Sequence, residues 1–304
     1  MKAACYERTG PAAEVLQLVD LPDPHPGPGE VRVRLQWSGV NPSDVKSRAG
    51  LRNPAMPFAR VVPHSDGAGV IDEVGAGVPS SRIGKAVWVW NAAWGRPHGT
   101  AAGYVTLPAR QAVPLPDGVP PEAGACFGIP ALTALHAVQF ARLLGAGRVL
   151  ATVSSEAKAE LARQAGAEAA IDYRREDVAA RVRALTQDRG VDRVIEVDAA
   201  ANARLDTEIV AKAGDIVVYG SGAPEFAVPF FPMISRNLTL RCFMVYHLAD
   251  DDRASAEATL ARLLAQGRLV HNVAERLPLS EIVRAHELVE SGRAAGNVVL
   301  SVGA

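Results

Sequence analysis

The sequence predicts an α/β protein in which a β-rich part precedes a part built as a doubly wound parallel sheet. Up to about residue 125, short stretches alternate apolar and polar residues between Pro/Gly-rich turns, which is typical of a Greek-key or barrel-like domain. Beyond that point, apolar runs alternate with helical stretches, which is the pattern of parallel βαβ units. A chain of 304 residues, 48% of them hydrophobic, can fill the cores of two domains.

The β-rich part contains four candidate strands. VRVRLQW (31–37) alternates at period two, directly after a Pro/Gly stretch that can form neither a helix nor a central strand. Three more candidates follow at 67–78, 85–90 and 103–108. Trp88 and Trp90 fall on one face of their strand, where they either line an aromatic pocket for a flat substrate or pack in the core.

The second part contains candidate strands at 148–154, 167–173, 192–198 and 214–220, with helical stretches at 155–167 and 176–189. A helical stretch at 279–293 and an apolar stretch at 296–302 end the chain and are expected to rejoin the β-rich part. The expected domains are therefore 1–124 with 266–304, and 125–265.

Composition excludes several classes of function. A net charge of −1, from 32 basic and 33 acidic residues, gives no support for nucleic-acid or membrane-surface binding. Three scattered cysteines form no CxxC or Cys/His cluster, which argues against structural zinc and fits a reducing compartment. The start of the chain lacks the pattern of a signal peptide, and no apolar run is long enough for a membrane span. We therefore expect a cytoplasmic protein.

Several phrases, in order along almost the whole chain, carry a family resemblance. They are GVNPSDVKSRAG (39–50), SDGAGVIDEVGAGV (65–78), GIPALTALHAV (128–138), ATVSSEAKAELARQAGAEAAIDYR (151–174), GVDRVIEV (190–197) and GNVVL (296–300). The chain resembles the medium-chain dehydrogenase/reductase superfamily, and within it the zinc-free quinone oxidoreductases of the zeta-crystallin type. The resemblance implies a GroES-like β-rich catalytic domain, a Rossmann-type cofactor domain and a homodimer.

The zinc-dependent branch of that superfamily places a Cys where this chain has Asn41 and a His near Ser65. An amide and a hydroxyl are poor substitutes for a thiolate and an imidazole as zinc ligands. The resemblance therefore implies no metal, and a substrate such as a quinone or enone that accepts a hydride without metal assistance.

Asn41, Asp44 and Lys46 lie in the phrase that, by resemblance, faces the nicotinamide and the substrate. Asn41 would orient a polar group, Asp44 would brace the loop, and Lys46 would add a donor and a positive charge. The alternative is an ordinary Asn-Pro turn with a solvated lysine. No residue is a persuasive proton donor, so solvent is expected to fill that role.

Ser154, Ser155 and Lys158 follow the second strand of the doubly wound part, where such folds meet the adenosine ribose. Two hydroxyls and a lysine in place of an acidic residue favour a 2′-phosphate, hence NADPH. The alternative is a serine N-cap with a solvated lysine, and both can hold together. Tyr173 matches a family position near the same phosphate.

The nicotinamide half of the cofactor is expected, by resemblance, at other strand ends and at one helix. The residues implied are Thr133, Gly220, Ser221, Gly222, Phe243 and Met244. The alternatives are a plain turn for 220–222 and core packing for 243–244.

One expected segment is missing. Relatives continue from a phrase like ALTALHA into a strand, a glycine-rich turn and a helix, whereas here ALTALHAV runs directly into QFARLLGAG. About two dozen residues are absent, and no other glycine phrase follows a strand and opens a helix with the spacing of a dinucleotide fingerprint. Two neighbouring strands would lose their ladder partner. Apolar residues around most of the fused segment suit two helix pieces better than one.

Three explanations stay open: a segment missing from the sequence, a gene product that has lost it, or a truncated cofactor domain put to another use. The leading hypothesis is an NADPH-dependent, zinc-independent oxidoreductase that transfers a hydride to a quinone or similar conjugated carbonyl. The alternatives are a cofactor-less relative acting as a binding or interaction protein, and a zinc-free enoyl reductase.

Overall fold

The computed structural model describes residues 1–131 and 145–303. Within them the strands are β1 Lys2–Cys5, β2 Gln17–Asp20, β3 Glu30–Val40, β4 Asp66–Val74, β5 Ala86–Val89, β6 Tyr104–Pro108, β7 Ala112–Pro114, β8 Leu150–Val153, β9 Ala169–Asp172, β10 Val191–Glu196, β11 Val210–Val218, β12 Thr239–Cys242, β13 Val273–Pro278 and β14 Asn297–Ser301. The α-helices are α1 Ala12–Val15, α2 Pro42–Arg48, α3 Pro121–Gly124, α4 Glu156–Gln164, α5 Val178–Thr186, α6 Ala199–Ile209, α7 Phe230–Ser235, α8 Asp250–Ala265 and α9 Ile282–Glu290. Thr133 and most of the fused segment lie outside the described residues.

The described residues fall into two compact units, one of 1–131 and 254–303 and the other of 145–253. We call them the N-terminal unit and the central unit. The domain boundaries expected from the sequence, 1–124 with 266–304 and 125–265, stay a prediction about where the chain divides into independently folding parts.

The N-terminal unit is built on a seven-stranded sheet in the order β13-β14-β3-β4-β5-β7, with β6 paired to β3. Strand β3 is its centre, because it pairs antiparallel with β14, β4 and β6. The C-terminal strand therefore belongs to the same sheet as residues 30–114. Strands β1 and β2 form a separate antiparallel pair.

The alternation in VRVRLQW accounts for the core of this unit. Val31, Val33 and Leu35 are buried, whereas the residues between them are half-buried or exposed. The buried side chains join apolar residues of the neighbouring strands in one continuous cluster. Period-two burial of this kind fixes the register, since a slip by one residue would turn the apolar face outward.

The central unit contains two separate parallel sheets. Strand β8 pairs with β9, and β10 pairs with β11, which pairs with β12. In a doubly wound sheet of order 3-2-1-4-5-6, these correspond to strands 3-2 and 4-5-6, and the gap falls where strand 1 belongs. Among the described residues, β8 and β10 thus each have a partner on one side only. The sheet is divided where the sequence lacks a strand.

An apolar cluster holds the two sheets together in place of the ladder. Helix α5 contributes Val178 and Val182, which pack with Ile171 of β9 and Ile209 of α6. Leu150 of β8 lies against the same cluster. In contrast, the outer part of β10 is open: Ile195 is 45% exposed, an unusual state for a strand that is central in a complete sheet.

Within residues 1–131 and 145–303, no helix is long and apolar enough to cross a bilayer.

Candidate functional site

Asn41 lies where the central strand of the N-terminal unit passes into a helix. Strand β3 ends at Val40, Asn41 keeps an extended conformation, and Pro42 occupies the first helical position of α2. An asparagine before a proline at that position is a favoured helix start, because proline needs no hydrogen-bond acceptor there. The geometry explains why the Asn-Pro phrase fixes the side chain at the end of the strand.

A buried carboxylate holds the side chain of Asn41. The Asn41 Nδ2 group donates to Asp66 Oδ2 at 3.0 Å, and the backbone N–H of Ile129 donates to the same oxygen at 2.9 Å. Asp66 is fully buried and Asn41 is 3% exposed. A Cβ atom at Gly128 would lie 2.3 Å from Asp66 Oδ1, so only glycine allows this close approach. Asp66 was not among the residues singled out from the sequence, although it stands in the quoted phrase SDGAG.

Asp44 closes the turn onto Asn41. Its Oδ2 accepts a hydrogen bond from the Asn41 backbone N–H at 2.8 Å, in a capping box at the start of α2. Burial removes water from the carboxylate and raises the pKa of Asp44 to about 7, although the hydrogen bond to Asn41 lowers it. The bracing role implied by the family resemblance is therefore geometrically possible. Lys46, two residues further on, is half-buried on the same helix.

Trp88 of β5 and Trp90, which directly follows that strand, both lie in the core. Trp88 is 2% exposed and Trp90 is 6% exposed, and the Trp88 ring meets the edge of Phe127 at 5.9 Å between centroids. They share one face, as the alternation predicted, but the segment 124–128 covers that face: a Cβ at Gly128 would be 2.8 Å from the Trp90 Cβ. Of the two interpretations of the pair, core packing is the one that the structure supports.

Four of the predicted cofactor residues meet at the carboxyl edge of β8 and β9. Ser155 is the N-cap of α4, and its Oγ accepts a hydrogen bond from the Lys158 backbone N–H at 3.4 Å. Tyr173 follows β9 and donates its backbone N–H to the Val153 carbonyl at 3.1 Å, which sets it beside Ser154. The N-cap interpretation of Ser155 is thus correct. It is compatible with a phosphate site at the same edge, which stays a prediction.

Sequence reasoning missed two basic residues at this edge. Arg174 and Arg175 follow Tyr173 directly, and Arg175 lies 3.6 Å from the Asp172 carboxylate. The Arg175 side chain is 86% exposed. Lys158 and these two arginines place three cationic side chains on the segments that follow β8 and β9, beside the Asp172 carboxylate, and the phrase IDYRRE carried that signal.

The other predicted cofactor residues lie at the ends of β11 and β12. Gly222 donates its N–H to Asp198 Oδ1 at 2.6 Å, and a Cβ at Gly220 would meet the Val197 carbonyl at 2.2 Å. The 220–222 turn, which includes Ser221, therefore packs closely on the chain that follows β10. Phe243 lies 6.2 Å from the Tyr219 ring and is half-buried, whereas Met244 is 42% exposed, so core packing is wrong for Met244. Thr133 lies outside the described residues.

A carboxyl pair near the end of β10 also escaped sequence reasoning. Glu196 and Asp206 are 7% and 2% exposed, and Glu196 accepts hydrogen bonds from Asn202 Nδ2 at 3.1 Å and from the Asp198 N–H. Burial, together with the neighbouring Glu196, raises the pKa of Asp206 to about 8. Nothing in the local sequence signals the pair, because its members come from a strand and from the following helix.

These groups fit a dinucleotide only at its adenosine end. Hydroxyl, lysine and arginine groups suit a ribose phosphate. A diphosphate needs backbone N–H groups of a glycine-rich turn at the switch point of the strand order, and the sequence has no such turn after a strand. Zinc does not fit Asn41 and Ser65 either, and no three His, Cys, Asp or Glu side chains gather as metal ligands within the described ranges.

Comparisons with known proteins agree with this architecture. Residues 27–117 match the family described as alcohol dehydrogenase GroES-like domain, and residues 133–265 match the family described as zinc-binding dehydrogenase. A quinone oxidoreductase of Pseudomonas aeruginosa is 30% identical, over 94% of this chain and 95% of that protein. That match runs over 318 positions, more than the 304 residues of this chain, so it includes positions that this chain lacks.

Solved structures give the same result. An NAD-dependent alcohol dehydrogenase superposes with a TM-score of 0.90 at 30% identity, covering 100% of both chains. A mycobacterial protein solved in complex with NADPH superposes with a TM-score of 0.83 at 26% identity, over 99% of this chain and 100% of that one. The fold class predicted from the sequence, a GroES-like part with a Rossmann-type part, is confirmed by these matches.

Proposed function

Because the chain belongs to the quinone oxidoreductase family of the medium-chain dehydrogenase/reductase superfamily, an enzyme family, we propose that it is an NADPH-dependent, zinc-independent oxidoreductase. The proposed substrate is a quinone or a similar conjugated carbonyl, and the proposed location is the cytoplasm. The observation that carries the proposal is the buried Asn41–Asp66 pair, which stands where the zinc-dependent branch needs a thiolate ligand.

The N-terminal unit supplies the proposed substrate-orienting groups. Asn41 has two amide N–H groups, of which one is held by Asp66, so the direction of the second is fixed. Asp44 braces the backbone of Asn41, and Lys46 provides a positive charge on the same helix. A fixed amide can orient a carbonyl oxygen but polarises it less than a metal ion does, which favours substrates that already accept a hydride readily.

The central unit supplies the proposed cofactor contacts. When bound, NADPH would supply the hydride. The groups that would hold the 2′-phosphate come from two segments. Ser155 and Lys158 lie at the start of α4, and Tyr173, Arg174 and Arg175 follow β9. Thr133, Ser154, Gly220, Ser221, Gly222, Phe243 and Met244 remain proposed contacts. Solvent is the proposed source of the proton.

The homodimer is also a proposal. Phe230 and Phe231 of α7 are 73% and 74% exposed, and Ile234 is 51% exposed. Apolar side chains concentrated on one short helix are typical of an association surface. Light scattering would show a mass near twice the 32.0 kDa of the chain. A mass near 32.0 kDa would contradict the proposal.

One observation favours a second candidate function, that of a cofactor-less binding or interaction protein. The division of the sheet between β8 and β10 removes the place where a diphosphate would bind in a doubly wound fold. In that case the site residues of both units would be inherited and unused.

A titration separates the two candidates. NADPH is added to the purified protein while nucleotide fluorescence is followed, with NADH as a second ligand. Saturable binding of NADPH at micromolar concentrations supports the enzyme. The absence of any saturable binding by folded protein supports the second candidate.

A pair of variants shows where NADPH binds. Lys158→Ala is expected to weaken NADPH binding roughly tenfold, because it removes one charged partner of a phosphate. Arg163→Ala, on the same helix and paired with Glu156, is the matched control and should leave binding unchanged. Equal effects of both variants would refute the assignment of this edge to the 2′-phosphate.

A further inference from the structure

Two buried histidines of the N-terminal unit meet ring to ring, far from each other in sequence. His64 Nε2 lies 2.9 Å from His286 Nε2, and 222 positions separate the two residues along the chain. Both side chains are fully buried, and the rings are stacked at 5.2 Å between centroids. One lies in the loop before β4 and the other lies on α9.

A chain of hydrogen bonds leads from this pair to Asp66. The His64 Nδ1 atom lies 2.8 Å from Ser38 Oγ, which in turn lies 2.8 Å from Thr100 Oγ1. Thr100 Oγ1 donates to the Asp66 backbone carbonyl at 2.5 Å. The chain therefore ends at the residue whose side chain holds Asn41.

Only one arrangement of protons is consistent with all four hydrogen bonds of this chain. A carbonyl can only accept, so the single Thr100 proton goes to Asp66, and Thr100 must accept from Ser38. Ser38 Oγ must then accept from His64 Nδ1–H, which leaves the His64 Nε2 lone pair to accept from His286 Nε2–H. In this arrangement the remaining atom, His286 Nδ1, carries a lone pair, and it is buried without a hydrogen-bond partner.

Both rings stay neutral in this arrangement. Burial and the neighbouring His286 lower the pKa of His64 well below its usual value, and burial with the nearby Arg48 lowers the pKa of His286 to about 3. Neutral rings have one donor and one acceptor each, which is what the proton order requires.

The backbone of His64 shows that its position is enforced. Its φ is +78°, in the left-handed region that non-glycine residues rarely adopt. The carbonyl of His64 accepts from Thr100 N–H at 2.9 Å, and a Cβ at Gly99 would come within 2.2 Å of that carbonyl. A left-handed backbone conformation at a non-glycine residue persists only where surrounding contacts enforce it, and such residues are concentrated at functional sites.

We propose that His64 and His286 are positioning residues, which fix the start of β4 and thereby the Asp66 carboxylate that orients Asn41. The hydrogen-bond chain connects helix α9 to the site, and every group in it donates toward the backbone carbonyl of Asp66. This inference rests on the proposed function only for its kinetic test. The order of the protons and the hydrogen bond between Asn41 and Asp66 are properties of the folded protein alone.

Long-range ¹H–¹⁵N correlation spectra of the ¹⁵N-histidine-labelled wild-type protein test the proton order. We expect His64 as the Nδ1–H tautomer and His286 as the Nε2–H tautomer, with the signals assigned through variants among the seven histidines of the chain. The same tautomer at both residues, or a charged ring at neutral pH, would overturn the proposal. This measurement needs no variant to fold and no substrate.

Hydrogen exchange of the Asn41 side-chain amide tests the hold on the site. His286→Phe keeps a ring but removes the donor, and Ser38→Ala breaks the chain at its centre. Both should speed exchange of this amide roughly tenfold, the expected effect of losing one buried hydrogen bond. His25→Gln, at an exposed histidine paired with Glu73, should not. Unchanged exchange in both chain variants would overturn the positioning role.

If the proposed reaction is found, the kinetic constants add a third test. His286→Phe should lower kcat roughly tenfold and leave KM within about twofold, because a misdirected Asn41 loses contacts made in the transition state. A raised KM with unchanged kcat would instead indicate a general loss of substrate binding and would contradict the proposal. If no substrate is reduced, the proposed function fails while the tautomer and exchange tests still decide this inference.

Discussion

The substitution Asp44→Asn should make the stability of the N-terminal unit less dependent on pH. The pKa of Asp44 is raised from 3.8 to about 7 by burial, so the folded protein binds a proton that the unfolded chain releases. A group of this kind contributes stability that is fully present below the unfolded pKa and is lost as pH rises through the folded pKa. The variant has no ionisable group at this position and therefore lacks that contribution, while its amide oxygen can still accept from the Asn41 N–H.

The magnitude follows from the pKa. Each pH unit below the folded pKa is worth about 1.4 kcal/mol per proton, so the free energy of unfolding of the wild type should fall by about 3 kcal/mol, relative to the variant, between about pH 5 and about pH 8. Above about pH 8 the difference between the two proteins should be constant. Other groups whose pKa differs between the folded and the unfolded protein, His64 and Asp206 among them, act equally in both proteins and cancel.

Urea unfolding followed by tryptophan fluorescence measures this difference. All four tryptophans, at positions 37, 88, 90 and 94, lie in the N-terminal unit, so the signal reports the unit that contains Asp44. Asp117→Asn, at an exposed turn residue, controls for the loss of a carboxylate. A wild-type-minus-variant difference that stays constant within about 0.5 kcal/mol across this range would refute the inference that Asp44 takes up a proton in the folded protein.

Three further predictions follow from other features. Gly128→Ala places a Cβ 2.3 Å from the Asp66 carboxylate and should lower the free energy of unfolding by about 2 kcal/mol in the same urea assay, whereas Gly103→Ala, in the same unit and with its nearest atom at 3.5 Å, should have little effect. Cys242 is exposed and the other two cysteines are buried, so a thiol reagent should label one cysteine rapidly in the native protein, and more than one would contradict the burial. Inserting a strand and glycine-rich turn of about two dozen residues between positions 138 and 139 should tighten NADPH binding at least about tenfold in the fluorescence titration; no gain would argue that the missing cradle does not limit affinity.

Sequence periodicity was enough to predict several of the regular elements. The alternation in VRVRLQW marked β3 because half of its side chains enter a core, and the apolar runs of the central unit marked parallel strands for the same reason. Helix α8 was not predicted, because DDDRASAEATLARLLA shows only a weak apolar stripe. Hydrophobic periodicity reveals which side chains are buried. In a helix rich in alanine and charged residues the buried face contains few large apolar side chains, so the periodicity is weak.

The candidate site was only half predictable. Asn41 and Asp44 belong to one local turn, so a phrase of four residues carried both the capping box and the position of the amide. The carboxylate of Asp66 and the pair of His64 with His286 join residues from distant parts of the chain. No spacing rule in one sequence reports such contacts, since tertiary packing alone brings their partners together.

The division of the parallel sheet changes what the central unit must do in order to fold. In a complete doubly wound sheet, the first strand pairs with the second strand on one side and with the fourth strand on the other. The pairing with the fourth strand joins residues that are far apart along the chain. Here β8 and β9 are consecutive, and so are β10, β11 and β12, so each sheet forms from neighbours in sequence. The cost of closing long loops before any ladder forms is correspondingly smaller. With two sheets formed in this way, the central unit is expected to reach its compact state faster than a relative that contains the first strand.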